Sequence, residues 1–453
     1  MNYPSQWLIS ANELNCYNLD LIQKINSKYY LHFDKRTKFE QFNRNGDLII
    51  TLGAIVYPQE LLNSEGFNFK EWLFSCVGCY CVIRCYNDDI EIYTDPAGLM
   101  NIYYGKGVIA SSLSFFPQYY NDGVKDNFSL ENDWFTGDVT PLRGVRYLMA
   151  NHSLSLNNNL VSRFWPESGH GNLNWDVGVE KCALHIKETI SLASSKYSCI
   201  ASLTGGRDSR VILAACEQLQ KKPEFFTLTG QGVASDDIDV VTRLRQKNGF
   251  VHRFLPIINP TVDDLHIYDA ISGGYAVGAR RTIISSLTGF RDKGLVHING
   301  NLGAIGKCYY WPINADSHCD EKSLLSDFTS LSEDKISGIR TWLRSLPEGI
   351  SDTDKCNLMY LEQRGGRWMG IGEGASSMIY SSFTPFASRQ LFEYIRALPD
   401  SDLRKNDWHY DVTRVLSPIY ADIRYSRSTH FLTKLIPKFL VRVCKSLKAR
   451  CLK

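Results

Sequence analysis

The run Leu203-Thr-Gly-Gly-Arg-Asp-Ser-Arg210 carries the chain's clearest chemistry. Read as a strand end, a glycine turn and a helix start, it gathers free backbone N–H groups and the positive end of a helix dipole at one point, which suits a phosphate. The adjacent Gly205 and Gly206 let the backbone approach an anion closely, and the Thr204 and Ser209 hydroxyls add donors. Asp208 is a poor neighbour for bare phosphate, so a bound Mg2+ is its natural role in that reading. The plain alternative is an ordinary turn in which Asp208 or Ser209 caps the helix.

The elements that must position this loop follow from periodicity. Residues 199–203 read as a short strand, and 209–220 as an amphipathic helix with Val211, Leu213, Ala214 and Cys216 inward. A second strand is expected at 224–229 and another helix at 236–248, whose early Asp236, Asp237 and Asp239 suit its N-terminal dipole. A later strand, 294–298, runs into Asn299-Gly-Asn-Leu-Gly303, and from Tyr360 onward the pattern is mostly helical. Up to about residue 166 the chain reads instead as β-rich, with apolar runs such as 48–56 and 72–85 separated by Asn/Asp/Gly clusters. The polar stretch 166–174 is the candidate linker.

The chain has 453 residues, room for two domains, and 44% of them are hydrophobic against 22% charged, which fits a globular chain rather than a disordered one. Fifty basic against 48 acidic residues leave a net +2, so no global field attracts nucleic acid. No signal peptide and no run of roughly 18 apolar residues is readable, and 13 scattered cysteines favour reduced thiols. A cytoplasmic location is the expectation.

TGGRDS resembles the SGGxDS pyrophosphate loop of the asparagine-synthetase-like branch of the PP-loop ATP pyrophosphatases, with Thr204 for the first Ser. Other segments resemble that family in the same order: Glu224 to Thr229 with Ser235-Asp-Asp-Ile-Asp239, then Asn299-Gly300, Glu362 to Trp368, Thr384-Pro-Phe-Ala387, Leu398-Pro399 and Pro418 to Arg427. Before them, Phe74 to Arg84, Thr94-Asp-Pro-Ala-Gly98, Ile102-Tyr-Tyr104, Leu142 to Leu148 and Arg163-Phe-Trp-Pro166 are similar to the family's glutamine-amidotransferase-like domain. The resemblance implies an Ntn-hydrolase-like αββα sandwich over 1–166. A doubly wound parallel-sheet PP-loop (adenine nucleotide alpha hydrolase-like) domain with a helical C-terminal section would follow over 175–430, then a basic tail over 431–453. It further implies an ATP-dependent ligase that activates a small-molecule, glycan or peptide carboxylate as an acyl-adenylate, releases pyrophosphate and forms an amide. Thr204, Gly205, Gly206, Arg207 and Ser209 would hold pyrophosphate, Leu203, Leu228 and Gly300 would surround the adenine, and Asp208 would contact Mg2+.

Three positions depart from the family pattern. Asn2 stands where a glutaminase of this type has its nucleophilic cysteine, so the amine is expected to be free ammonia or part of the substrate. Ala304 and Ile305 occupy the place of a second acidic Mg2+ ligand. The family's late catalytic lysine is matched about one residue out of step by Arg427, with Lys307 and Lys434 as other substitutes. Together these motivate an alternative, a catalytically silent member that binds a nucleotide or a partner.

Other constellations have plainer readings beside them. Cys76, Cys79, Cys81 and Cys85 show zinc-like spacings but also alternate on a strand as core residues do. Gly365-Gly366 with Arg364 and Arg367 reads either as a phosphate contact or as a helix interruption in an exposed basic turn, and Arg280-Arg281 as facing an anion or solvent. The tail from Thr433 to Lys453 has seven basic residues and no acidic one, which suits either an anionic membrane surface or a packed helix with a solvated face.

Overall fold

The computed structural model describes residues 4–11, 19–105, 107–116, 134–167, 169–230, 235–276, 279–311, 319–326, 328 and 331–426. Twelve strands occur among the described residues of the first half. They are β1 (Trp7–Ser10), β2 (Leu21–Lys24), β3 (Tyr30–Phe33), β4 (Phe39–Arg44), β5 (Asp47–Val56) and β6 (Val77–Tyr86), then β7 (Asp89–Thr94), β8 (Tyr103–Gly105), β9 (Val108–Ala110), β10 (Arg146–Tyr147), β11 (His152–Ser155) and β12 (Leu160–Arg163). Two antiparallel six-stranded sheets result, ordered β10-β8-β9-β1-β3-β2 and β12-β11-β7-β6-β5-β4. They share an apolar core in which Trp7, Ile9 and Leu31 of one meet Ile50, Leu52, Cys81 and Ile83 of the other.

The alternation along β6 explains the cysteines. Cys81, Ile83 and Cys85 face the inter-sheet core, while Cys76 just before the strand packs with Tyr80, Val82 and Trp72 on the opposite face. Residues 72–75, expected as strand, belong instead to the helix Phe69–Ser75. Asn68 caps it, accepting from the Lys70 and Glu71 N–H groups at 3.0 and 3.3 Å, and Phe69, Trp72 and Leu73 supply an i, i+3, i+4 apolar stripe. The αββα expectation is met only in part. Among the described residues of this half the α-helices are the short Gln59–Asn63 and Phe69–Ser75, both on the second sheet.

The second half is built on a parallel sheet of β13 (Cys199–Ser202), β14 (Glu224–Thr229), β15 (His252–Pro256), β16 (Val296–Ile298) and β17 (Ser381–Phe383), ordered β15-β14-β13-β16-β17. The chain starts in the middle, winds outward one way to β15 and then the other way through β16. Strand order therefore reverses between β13 and β16, where open parallel sheets leave a crevice at their carboxyl edge. The helix Arg207–Ala215 follows β13 and buries Val211, Leu213 and Ala214 as expected, though it ends before residue 220. Ser235–Asn248 follows β14.

Besides the inter-sheet core of the first half, one cluster spans both halves, in which Leu8, Val56 and Cys79 join Val211, Leu302, Phe383 and Trp408. A near-continuous helical rod locks them together: the α-helix Asp352–Leu358, the π-helix Met359–Met369 and the α-helix Gly370–Ser376. Gly365 and Gly366 are thus no exposed turn. A Cβ on Gly366 would stand 2.7 Å from the Ala97 carbonyl oxygen, so the glycine admits the Asp95–Gly98 turn against the rod. Arg364 stacks between Tyr309 and Trp368, and Arg367 lies buried on the Tyr147 ring. Glu362, fully buried, accepts from Arg163 (2.7 and 2.8 Å) and Asn151 (2.8 Å) of the first half and from the Trp342 indole (2.7 Å) of the second. No helix among the described residues is long and apolar enough to cross a membrane, and the basic tail lies outside them.

Candidate functional site

The loop after β13 lies at the carboxyl edge of the sheet, beside the turn that follows β16. Parallel pairing of Ala201 with Ile298 sets the two loops side by side. Gly300 and Gly303 then close on Asp208: a Cβ on Gly300 would fall 2.9 Å from the Asp208 Cβ, and one on Gly303 2.7 Å from its carboxyl carbon. The turn itself is held firmly. Asn299 donates to Ser382 Oγ at 2.9 Å, the Asn301 N–H to Asn299 Oδ1 at 3.0 Å, and the Asn301 side chain to the buried Glu373, which also accepts from Ser382 and pairs with Arg280. Arg280 is therefore the counterion of a buried carboxylate, and Arg281 pairs with Asp269 at 2.6 Å.

Within the loop the expected phosphate donors are tied to the chain itself. The Gly205 N–H donates to Asp237 Oδ1 at 3.0 Å, and the Gly206 N–H to Thr204 Oγ1 at 3.1 Å. Thr204 and Ser209 share a hydroxyl contact of 3.1 Å, and the Thr204 N–H donates to Ser209 Oγ at the same distance. Gly206 sits at the N-cap of Arg207–Ala215 without a side-chain acceptor, so the amides of that helix's first turn have no side-chain cap. Thr204 is exposed, and Gly206, Arg207 and Asp208 are half-buried. Leu203 is fully buried, its N–H donates to the Phe226 carbonyl and its own carbonyl accepts from Thr227 Oγ1. Leu228, half-buried near the carboxyl end of β14, and Gly300 stand at the same sheet edge as the loop.

Asp208 has two basic partners that motif reading alone did not join to it. Lys307 Nζ stands 3.1 Å and His409 Nε2 2.8 Å from its Oδ1. Burial alone would raise the Asp208 carboxyl, but these partners outweigh it and bring the pKa down to about 2. His409 is pushed below its ordinary value by burial, with Lys307 and Arg207 adding to the push against the pull of Asp208. The residue set does not fit the expected Mg2+. One oxygen of the single carboxylate is taken by two basic groups, Asp237 is engaged by Gly205 and Ser426, and no cluster of three potential ligands occurs among the described residues. An Mg2+ about 4 Å from an ammonium would meet a repulsion of ~8 kcal/mol at an effective dielectric of about 20.

The segment 420–426 closes over the loop. Buried Arg210 donates to the Ile423 and Arg424 carbonyls and stacks on Tyr425 at 3.9 Å, while the Ser426 N–H donates to Gly205 O at 2.9 Å. Arg427, the expected charge-stabilising residue, is the next residue and lies outside the described ones. Arg207 reaches sideways to the Asn406 carbonyl at 2.8 Å.

Several cavities lie apart from the loop. One of about 940 Å3 opens between the helix Phe69–Ser75 and the segment from Arg163 to Glu167. A second, of about 50 Å3, lies where the halves meet, lined by Gln6, Gly53, Cys79, Asn101 and Glu373 among others.

No family model matches the chain, and no curated protein matches it. Among solved structures it is similar to the allosteric regulatory enzyme of purine biosynthesis, with 12% identity over 66% of this chain and 69% of that one and a TM-score of 0.22. It is similar also to glutamine phosphoribosylpyrophosphate amidotransferase from B. subtilis complexed with ADP and GMP, with 10% identity over 66% and 76% of the two chains and a TM-score of 0.23. Scores this low assign no shared fold, which rests on the sheets described above.

Proposed function

We propose that the chain is an ATP-dependent, AMP-forming ligase that joins a carboxylate to an amine. The observation that carries the reading is the meeting of the Thr204–Ser209 loop and the Asn299–Gly303 turn around Asp208 at the reversal point of a doubly wound parallel sheet, the place where such sheets take nucleotides. The uncapped first turn of Arg207–Ala215, with Lys307 beside it, supports binding of a triphosphate there. In this reading a substrate carboxylate oxygen attacks the α-phosphorus, pyrophosphate leaves toward the helix, and an amine then displaces AMP from the acyl carbon. Arg427, next after Ser426 in the sequence, is proposed to steady the developing charge. Leu228 and Gly300 are proposed to flank the adenine.

The first half is proposed to be an amidotransferase-like layer without glutaminase chemistry. Asn2 stands where such a glutaminase has its nucleophilic cysteine, and burial raises the pKa of the Cys79 thiol, which keeps it protonated. The amine is therefore free ammonia or part of the acceptor.

A second reading, nucleotide or partner binding without turnover, is favoured by the hold of Asp237 on Gly205 and of Lys307 and His409 on Asp208. ATP–pyrophosphate exchange over a panel of sugar acids, amino acids and short peptides separates the two. Exchange with any member, lost in Ser209→Ala, supports the ligase. ATP binding without exchange across the panel supports the silent reading, and no ATP binding at all overturns the ligase and leaves only partner binding.

A further inference from the structure

We infer that Lys307 takes the place of a divalent cation at the pyrophosphate end of the site, so that the chain accepts ATP without bound Mg2+. The inference rests on the nucleotide reading above and deepens it. Its ground is the arrangement around Asp208. The 3-10 helix Gly303–Lys307 brings the ammonium to 3.1 Å from Oδ1, and Gly303, lacking a side chain, allows the carboxyl to lie against that helix.

The position of Lys307 is built rather than incidental. Gly306 next to it packs on the Trp408 ring so closely that a Cβ would stand 2.4 Å away, and the adjacent His409 supports the same carboxylate oxygen from the buried side. An ammonium has three donors; one meets Asp208, and two remain for phosphate oxygens. With Arg207 counted, Asp208, Lys307 and Arg207 sum to a formal +1 before any metal, whereas a Mg2+ site needs an anionic donor set. Ala304 and Ile305, where a second carboxylate is missing, lie on the same 3-10 helix as Lys307. That helix thus offers a base and no acid to the group beside Asp208.

Calorimetric titration of the full chain with ATP, and separately with inorganic pyrophosphate, in excess EDTA and in excess MgCl2 tests this. Binding in EDTA at least as tight as in MgCl2 is the expected result. Lys307→Met should weaken both ligands about tenfold or more in either condition. Lys307→Asp should abolish binding in EDTA and regain it in MgCl2, because it supplies a second carboxylate. Wild-type binding that requires MgCl2 would overturn the inference and leave the nucleotide reading standing. Absence of binding in both conditions would overturn the nucleotide reading itself. The wild-type comparison needs no variant, so a poorly folding substitution does not blunt the test.

Discussion

Replacing Arg163 by methionine should loosen the junction between the two halves. The guanidinium gives two hydrogen bonds, at 2.7 and 2.8 Å, to a Glu362 carboxylate that is fully buried. Burial opposes ionisation of Glu362, and Arg163 overcomes it, so the carboxyl stays below its ordinary range. Methionine keeps the length of the side chain but strands the carboxylate. Stranding one partner of a buried ion pair costs about 3–5 kcal/mol. Asn151 and Trp342 still donate to Glu362, which places the expected loss at the lower end, ~3 kcal/mol. The double variant Arg163→Met with Glu362→Met should fall short of the sum of the single losses by ~2 kcal/mol, as coupled neighbours do. Urea unfolding followed by tryptophan fluorescence and by far-ultraviolet circular dichroism reads the effect. Because one core spans both halves, the two probes should move together as a single transition. A loss below about 1 kcal/mol, or two transitions of which only one shifts, would refute the reasoning.

Acid should weaken the fold early. Burial lowers His152 and His252 to about 4 and His297 to about 3 from 6.5. The unfolded chain therefore takes up protons first, and stability should fall as pH drops below about 6.5, by ~2 kcal/mol per histidine at pH 5. Asp95, raised to about 6 by burial, works the other way over the same range, and three histidines outweigh it. Urea midpoints at pH 7 and pH 5 check the sign, and an unchanged or higher midpoint at pH 5 would contradict it. Gly366→Ala should cost ~2 kcal/mol or more, read as a lowered thermal midpoint, because its methyl meets the Ala97 carbonyl at 2.7 Å on a rigid turn. Gly303→Ala should leave the fold in place yet weaken ATP binding about tenfold, because its methyl displaces the Asp208 carboxyl and with it the Lys307 pair. Calorimetry on the folded variant measures that.

The strand, glycine loop, helix and strand of residues 199–229 were legible because each signal is local: an apolar run, a diglycine, an amphipathic period. The same holds for the inward cysteines of β6. The helix Phe69–Ser75 was missed because its apolar residues run straight into a strand, and only the cap at Asn68 marks the boundary. The role of Gly365 and Gly366 was misread because it is set by a turn more than 250 residues earlier. The site was half legible. Lys307 and His409 lie about 100 and 200 residues from Asp208, and no spacing rule joins them. The sheet order brings Lys307 there, by setting the turn after β16 next to the loop after β13, and His409 arrives on the helix Trp408–Leu416, which packs on Arg207–Ala215. The Asp237 contact to Gly205 was hidden in the same way, since an acid in a first helical turn already has a local explanation in the helix dipole.

Hydrogen–deuterium exchange of the full chain with and without ATP locates the nucleotide most directly. Slowed exchange is expected in peptides covering residues 203–210 and 299–308, with none in those lining the cavity beside Phe69–Ser75. Protection confined to that cavity, or no change at the carboxyl edge of β13 and β16 under saturating ATP, would contradict it.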